Sequence, residues 1–360
     1  MSSWNSILAE IASLNRPDSS DIVRRKKMKA VQEITGQPLI IYASDFITPS
    51  PLKAQLSYLM MISLADKDGF DEVTRNLPRG TAIDILLHSP GGSAEATESI
   101  VTLLRDRFSH IRFIIPNTAK SAATMLAMSG EQLLMDERSE LGPTDPQMII
   151  TTQDGRTIAA PAQAIKDQFK AAQDEINADP GKLPSWVPIL GWIGPALLAQ
   201  CDNQLALAKE LVSKWLEGYM FAGDADAKQK AEKIAEHLAD HNNFHSHARR
   251  VGIAELQALE VNVLDMRTEP ALHDAVRDLY TSIALTLSNT GAYKIVENSN
   301  GEALIGNLQM QVMAQPILQQ QAPQQQPPQP PLTIPQQQNG QRPATTLNRQ
   351  ARRQAARKKR

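Results

Sequence analysis

The stretch that decides the fold is Ala82-Ile-Asp-Ile-Leu-Leu-His-Ser-Pro-Gly-Gly-Ser93. Its first part is a mostly apolar run, which predicts a buried strand at 82–88. Ser89-Pro-Gly-Gly92 then predicts a tight turn, because glycine adopts backbone conformations that are closed to other residues. Residues 93–108 continue with the spacing of a helix. The chain therefore passes from a strand through a glycine turn into a helix, which is the first half of a βαβ unit.

The segments that follow repeat this alternation. Ile111-Arg-Phe-Ile-Ile115 predicts a strand, a helix of small residues follows over 121–129, and Gln132-Leu-Leu-Met135 predicts a short strand. An earlier strand is expected at 39–43 and a final one at 261–264. Alternating strands and helices of these lengths predict an α/β fold with a mostly parallel sheet.

Three regions are expected along the chain. Residues 1–36 predict an N-terminal helical segment, since their apolar residues repeat at helical spacing. Residues 37–305 hold the α/β pattern, with a helical insertion at about 163–245. The remainder, 306–360, is Gln/Pro-rich and basic, and it lacks the apolar residues needed to order itself. It is therefore predicted to be a disordered tail.

Charge and composition narrow the classes of function. All 39 acidic residues lie at or before Glu302, whereas 8 of the 37 basic residues follow it, so 29 basic residues face 39 acidic ones in the body. An acidic body argues against specific nucleic-acid binding, and the basic tail is a candidate for contact with anionic surfaces. The single cysteine, Cys201, excludes a disulfide within the chain. Neither a signal peptide nor a membrane-spanning run is recognised, so the expected location is the cytoplasm.

Two elements of the pattern carry groups suited to acyl transfer. The loop at 89–92 allows consecutive backbone N–H groups to point into a cleft, where they can stabilise an oxyanion. Ser121 begins a helix, so its hydroxyl lies near the positive end of the helix dipole, and its alanine neighbours leave room for a substrate backbone. Taken singly, each element also fits a structural role, as a strand-to-helix turn and as a helix N-cap.

Taken together, the order strand, Ser-Pro-Gly-Gly loop, helix, strand and Ala-x-Ser helix resembles the Clp protease and signal-peptide-peptidase families. Further segments are similar to the serine dehydrogenase proteinase family of that group. They are Glu98-Ser-Ile-Val101, Leu141-Gly-Pro-Thr-Asp-Pro-Gln147, Phe244-His-Ser-His-Ala-Arg249 and Tyr293-Lys-Ile-Val-Glu-Asn-Ser299. The resemblance implies a Clp/crotonase-type core of stacked βαβ units with a helical C-terminal extension.

The resemblance also implies a chemistry. It implies a serine endopeptidase in which Ser121 is the nucleophile and forms an acyl-enzyme, while Gly91 and Gly92 form the oxyanion loop. The substrate would be a peptide or protein, and the chain would form a homo-oligomer. The sequence has no Gly-x-Gly-x-x-Gly motif of a dinucleotide site, so the dehydrogenase part of the family name has no support here. No cofactor is expected.

More than one residue is a candidate for the general base. Where the Clp pattern would place its histidine, this chain has Thr144-Asp145-Pro146. His247 is the preferred base, because it precedes a segment similar to the last helix and strand of the Clp fold and because a histidine accepts a proton near neutral pH. Asp145 would orient that histidine. Lys166 and Lys170 are the alternatives, since signal-peptide-peptidase relatives use a lysine.

Other functions stay open on sequence grounds. His237 and His241 have the spacing of a metal-binding pair, but the Glu of a His-Glu-x-x-His motif is missing, so no metal is expected. A crotonase-like acyl-CoA enzyme would share the oxyanion loop, and a non-catalytic scaffold would share only the fold. An apolar insertion with Trp186, Trp192 and Trp215, or the basic tail, is a candidate for contact with a membrane surface.

Overall fold

The computed structural model describes residues 3–151, 155–191 and 193–308. These residues belong to one structural unit, Met1–Met310, and the second unit, Gln311–Arg360, lies outside them. The predicted disordered tail therefore falls outside the described residues from 309 onward. Its first two residues, 306–307, complete the last strand.

The secondary-structure elements are numbered in chain order. The strands are β1 (Leu39–Ser44), β2 (Thr81–His88), β3 (Phe108–Ile115), β4 (Thr118–Ala119), β5 (Gln132–Met135), β6 (Glu140–Leu141), β7 (Gln147–Thr151), β8 (Thr157–Pro161), β9 (Val263–Asp265), β10 (Ala292–Asn298) and β11 (Ala303–Asn307). The helices are α1 (Trp4–Leu14), α2 (Ser19–Thr35), α3 (Pro51–Gln55), α4 (Asp66–Thr74), α5 (Ala94–Arg107), α6 (Ala122–Ala127), α7 (Ala162–Ala178), α8 (Leu183–Leu190), α9 (Leu197–Trp215), α10 (Ala227–Ala239), α11 (His241–Phe244), α12 (Ile253–Ala258) and α13 (Pro270–Asn289).

The central sheet has the strand order β11–β10–β1–β2–β3–β5–β9. Its five strands from β1 to β9 are parallel, whereas β10 pairs antiparallel with β1 and β11 pairs antiparallel with β10. The predicted strands at 39–43, 82–88, 111–115, 132–135 and 261–264 correspond to β1, β2, β3, β5 and β9. The α/β class with a mostly parallel sheet is confirmed.

Both faces of the sheet are covered, as a parallel sheet requires. Along β1, Ile40 and Tyr42 pack into the larger apolar cluster with α4, α5, α6, α9 and α10. The alternate residues Leu39 and Ile41 pack against α2 and α13 on the opposite face. The strand is buried throughout, because successive side chains enter different cores. The packed helices on both faces hold the strands in place, and with them the loops that follow their carboxyl ends.

A smaller, separate apolar cluster lies beside the two that cover the sheet. The antiparallel hairpin of β7 and β8 packs against α7 and the start of α9, with Ile165 and Cys201 buried between them. This hairpin was not expected from the sequence. Helices α7 to α11 fall in the range of the predicted insertion.

The predicted apolar insertion does not present its three tryptophans on one surface. Trp215 is 3% exposed and lies within the larger core, so it is unavailable to a membrane or a partner. Trp186 is half-buried and donates a hydrogen bond to Glu175, while Trp192 lies outside the described residues. Within the described part of the chain, no helix combines the length and the apolar character needed to cross a bilayer.

Candidate active site

The Ser-Pro-Gly-Gly loop connects β2 to α5 and packs against Ser121. Ser93 caps α5, accepting a hydrogen bond from the Ala96 N–H at 3.0 Å. Gly91 has φ +96°, and a Cβ there would lie 2.8 Å from the Ser121 Cβ. The loop can therefore approach the serine this closely only because position 91 is glycine.

Ser121 itself holds a strained backbone. It lies between β4 and α6 with φ 52° and ψ −122°, a conformation that L-residues with a side chain rarely adopt. Such residues cost about 1–3 kcal/mol and concentrate at functional sites. A sharp strand-to-helix turn of this kind presents a serine hydroxyl clear of its own backbone. Helix α6 is buried over its whole length, and it holds the turn in place.

Substituting glycine for this serine tests the strain directly. We expect Ser121→Gly to raise the free energy of unfolding by ~1 kcal/mol, because the release of about 1–3 kcal/mol exceeds the roughly 0.5–1 kcal/mol that glycine costs elsewhere. Urea denaturation followed by circular dichroism measures the difference. Ser121→Ala is the matched control, since alanine keeps the Cβ and should leave stability within ~0.5 kcal/mol. A glycine variant less stable than the alanine variant would contradict the strain.

Among the described residues, two backbone N–H groups beside Ser121 have no hydrogen-bond partner. The Gly91 N–H donates to Ser89 Oγ at 3.2 Å, so it is already occupied. On the other side of the loop, the Ile62 N–H donates to Gly91 O at 2.7 Å and the Ser93 N–H donates to Ile62 O at 3.0 Å. The N–H groups of Gly92 and Ala122 have no hydrogen-bond partner among the described residues. Position 92 must also be glycine, because a Cβ there would overlap the backbone of Ile62.

Asp145 is a buried carboxylate shared by two histidines. His247 Nδ1 donates to its Oδ1 at 2.7 Å, and His241 Nδ1 donates to its Oδ2 at 3.0 Å. Gln147 adds a third hydrogen bond at 3.1 Å from its side-chain amide. Asp145 is only 1% exposed, so its charge is stabilised by these donors rather than by water. Because Nδ1 of His247 carries the donated proton, its Nε2 is the nitrogen with a free lone pair.

Backbone pairing brings the histidine segment to Asp145. Leu141 and Val251 exchange two hydrogen bonds of 3.0 Å each, and the Thr144 N–H donates to Leu238 O at 2.8 Å. Phe244 is buried and anchors α11, which carries His241. These contacts join two parts of the chain that are far apart in sequence.

Ser121 and His247 line one cavity of about 500 Å³. Its other lining residues are Met61, Ile62, Pro90, Gly91, Gly92, Ser93, Ala94, Glu95, Ala122, Met125, Thr144, Pro146, Gln147, Ile149, Ala159, Gln204 and Ala208. Within the described residues the Ser121 hydroxyl forms no hydrogen bond to His247 or to any other group. Contacts between a nucleophile and its base are often long without a substrate.

The alternative lysines lie elsewhere. Lys166 pairs with Asp202 at 2.5 Å, Lys170 is exposed, and neither is among the residues that line the cavity. Lys120, next to the serine, donates to Leu141 O and Arg249 O. Burial is the main cause of a lowered pKa at Lys120, and nearby Glu140 opposes the shift.

His237 and His241, which have the spacing of a metal-binding pair, contact different carboxylates. His237 Nε2 lies 3.2 Å from Glu255, whereas His241 is bound to Asp145. The sequence reasoning missed that second contact of Asp145, and it also missed the free N–H of Ala122. The sequence did carry a signal for this free N–H. Ala122 directly follows the serine as the first residue of the predicted helix, and the N–H of a first helical residue has no intrahelical partner.

Comparison with known proteins bears on the central part of the chain. Residues 55–174 match the family described as ClpP-like SDH-type serine proteinases, which confirms the resemblance expected from the sequence. Two uncharacterised proteins of Methanocaldococcus jannaschii are 33% and 32% identical over 87 residues, which are 24% of this chain and 30% of each relative. The chain therefore spans less than a third of the length of these relatives.

Two solved structures of the 1510-N membrane-bound stomatin-specific protease are also similar. One is a serine-to-alanine mutant, with 18% identity over 59% of this chain and 79% of that chain. The other is a lysine-to-alanine mutant in complex with a substrate peptide, with 19% identity over 69% of this chain and 83% of that chain. The TM-score is 0.34 in both comparisons.

Proposed function

We propose that this chain, whose residues 55–174 match a family of serine proteinases, is a serine endopeptidase that cleaves peptide bonds through an acyl-enzyme on Ser121. The observation that carries the proposal is one cavity lined by a strained serine and by a histidine fixed on a buried carboxylate. Serine, histidine and aspartate in these roles form the constellation of acyl transfer. The substrate is a peptide or a protein.

Ser121 Oγ attacks the carbonyl carbon of the scissile peptide, and its proton passes to Nε2 of His247. Asp145 holds the imidazole in the required tautomer and stabilises the imidazolium that forms. The carbonyl oxygen becomes an oxyanion, and the free N–H groups of Gly92 and Ala122 donate to it. Gly91 shapes the loop, since its own N–H is bound to Ser89.

The intermediate then collapses, and the carbon–nitrogen bond breaks. His247 gives its proton to the leaving amine, which departs and leaves an ester on Ser121. Water enters, loses a proton to Nε2 of His247 and attacks the ester carbon. The second collapse breaks the ester bond, releases the carboxylic acid and returns the proton to Ser121 Oγ. His241, as the second donor to Asp145, keeps that carboxylate aligned.

Labelling by a fluorophosphonate tests the proposal. We expect the folded wild-type chain to gain one phosphonyl adduct, because only an activated serine reacts at a useful rate. Intact mass gives the stoichiometry, and peptide mapping should locate the adduct on Ser121. Ser93 lines the same cavity and serves as the internal control, so its peptide should stay unmodified. A folded protein without an adduct, or with one on Ser93, would refute the assignment.

The same experiment separates the other candidate functions. A crotonase-like acyl-CoA enzyme would bind a thioester and would not depend on Ser121, and a scaffold would take no label. The predicted homo-oligomer, cytoplasmic location and membrane contact stay predictions.

A further inference from the structure

A buried ion pair lies next to the Ser-Pro-Gly-Gly loop, outside the groups used above. Lys294, on β10, has its ammonium 2.8 and 2.9 Å from the two carboxylate oxygens of Asp66, at the start of α4. The side chains are only 8% and 6% exposed. Burial lowers the pKa of Lys294, while Asp66 acts against that shift. Burying this ion pair costs desolvation free energy, so its presence calls for a role in the protein.

The ion pair holds the backbone on both sides of Ile62. Lys294 Nζ donates its third hydrogen bond to Met61 O at 2.8 Å, and the Ser63 N–H donates to Asp66 Oδ2 at 2.8 Å. All three donors of the ammonium are thereby satisfied. Ile62 in turn pairs with the residues on either side of Gly92. A displacement of the Met61–Ser63 segment would therefore move the loop as well.

A second route leads from Asp66 to the same loop. The Tyr42 hydroxyl donates to Asp66 Oδ2 at 3.0 Å. The pKa of Tyr42 is raised well above its usual value, first by burial and then by Asp66, while the Ser89 side chain acts in the opposite direction. Ser89 Oγ is also the acceptor of the Gly91 N–H. The network thus reaches the loop at Ser89 and, through Ile62, at the residues on either side of Gly92.

We propose that Lys294 and Asp66 are positioning residues, which fix the loop through Met61, Ser63 and Ile62 so that the Gly92 N–H meets the reacting carbonyl. The inference rests on the proposed function of Ser121. Lys294 lies outside the segment 55–174 that matches the proteinase family. A residue of β10, distant in sequence, therefore supports the Ser-Pro-Gly-Gly loop.

The double variant Lys294→Met/Asp66→Asn tests this role in the full-length chain. It removes both charges and the donor to Met61 O, while asparagine keeps an acceptor for Ser63 and Tyr42. We expect the limiting rate of fluorophosphonate labelling at saturating probe to fall roughly 10- to 100-fold, because a misplacement of about 1 Å costs rates of this order. The probe concentration at half-maximal rate should stay nearly the same. Tyr42→Phe is the milder second variant, with a several-fold loss expected.

The matched control is Arg24→Met/Glu297→Gln. This pair is buried as well and uses the same strand β10, but it joins the strand to α2. It should keep the wild-type labelling rate even if its urea midpoint falls. A Lys294/Asp66 variant that is labelled at the wild-type rate, or a control that slows to the same extent, would overturn the proposal.

Hydrogen exchange measured by mass spectrometry follows the opening of the loop's backbone hydrogen bonds independently of catalysis. The peptide that contains Ile62 and the peptide that contains Gly91 should each exchange roughly 10-fold faster in the Lys294/Asp66 variant, since exchange reports local opening. Their exchange in the control should match the wild type. Unchanged exchange at Ile62 would overturn the positioning role. If the wild type took no label at Ser121, the proposed function would fail, and the exchange data would still decide whether the pair fixes the loop.

Discussion

Ser121→Ala is expected to lower the hydrolysis of fluorescein-labelled casein by roughly 10⁶-fold, the scale measured when the serine of a catalytic triad is removed. The loss should fall on kcat, because alanine removes the attacking oxygen and leaves the cavity otherwise intact. Alanine keeps the Cβ at position 121, so its backbone strain and its packing against Gly91 are retained. The loss can therefore be attributed to chemistry and not to a rearranged site.

The control for this measurement is Ser93→Ala. Ser93 lines the same cavity, but its hydroxyl caps α5 and is assigned no part in the reaction. This variant should be less stable by ~1 kcal/mol through the lost cap, and it should keep activity within a few-fold. Casein hydrolysis that survives in Ser121→Ala would assign the activity to another group or to a contaminating protease.

His247→Ala is expected to lower both casein hydrolysis and the rate of fluorophosphonate labelling, by about 10²- to 10⁴-fold, the usual contribution of a general base. Without Nε2, the serine must lose its proton to water as it attacks. The variant should fold, because His247 is a partly exposed side chain and Asp145 keeps His241 and Gln147 as donors. Intact-mass labelling against time measures the effect.

Lys166→Ala and Lys170→Ala are the matched controls for this base assignment. Both lysines were sequence candidates for the base, and both lie outside the cavity lining. Each variant should label at the wild-type rate. Slow labelling in Lys166→Ala with normal labelling in His247→Ala would transfer the role of base to the lysine.

The sheet was predictable where its strands are apolar on both faces. β1, β2, β3 and β5 each contain at least three consecutive apolar residues, and such runs indicate buried strands without any knowledge of their neighbours. β10 was missed, because Lys294 and Glu297 interrupt its apolar pattern. Both are buried and ion-paired, Lys294 with Asp66 and Glu297 with Arg24 and Arg25. Those partners are distant in sequence, so a local pattern does not reveal them.

The candidate site likewise has a part that the local sequence predicts and a part that depends on long-range contacts. The loop with Gly91 and Gly92 and the serine after it follow from local turn chemistry, which a sequence displays. The sharing of Asp145 by His241 and His247 depends on a long-range contact that brings α11 to the loop after β6. The occupation of the Gly91 N–H by Ser89 is likewise a matter of geometry, and it moves the proposed oxyanion donors to Gly92 and Ala122.

The distance in sequence between Ser121 and His247 has a consequence for synthesis. A ribosome adds about 5–20 residues per second, so the serine is made roughly 6–25 s before the histidine. During that interval the nascent chain would carry the proposed nucleophile without its proposed base, because the segment that holds His247 at Asp145 does not yet exist. If Ser121 and His247 act as proposed, the emerging polypeptide cannot cleave itself in this interval, and hydrolysis begins only after the later helices have folded.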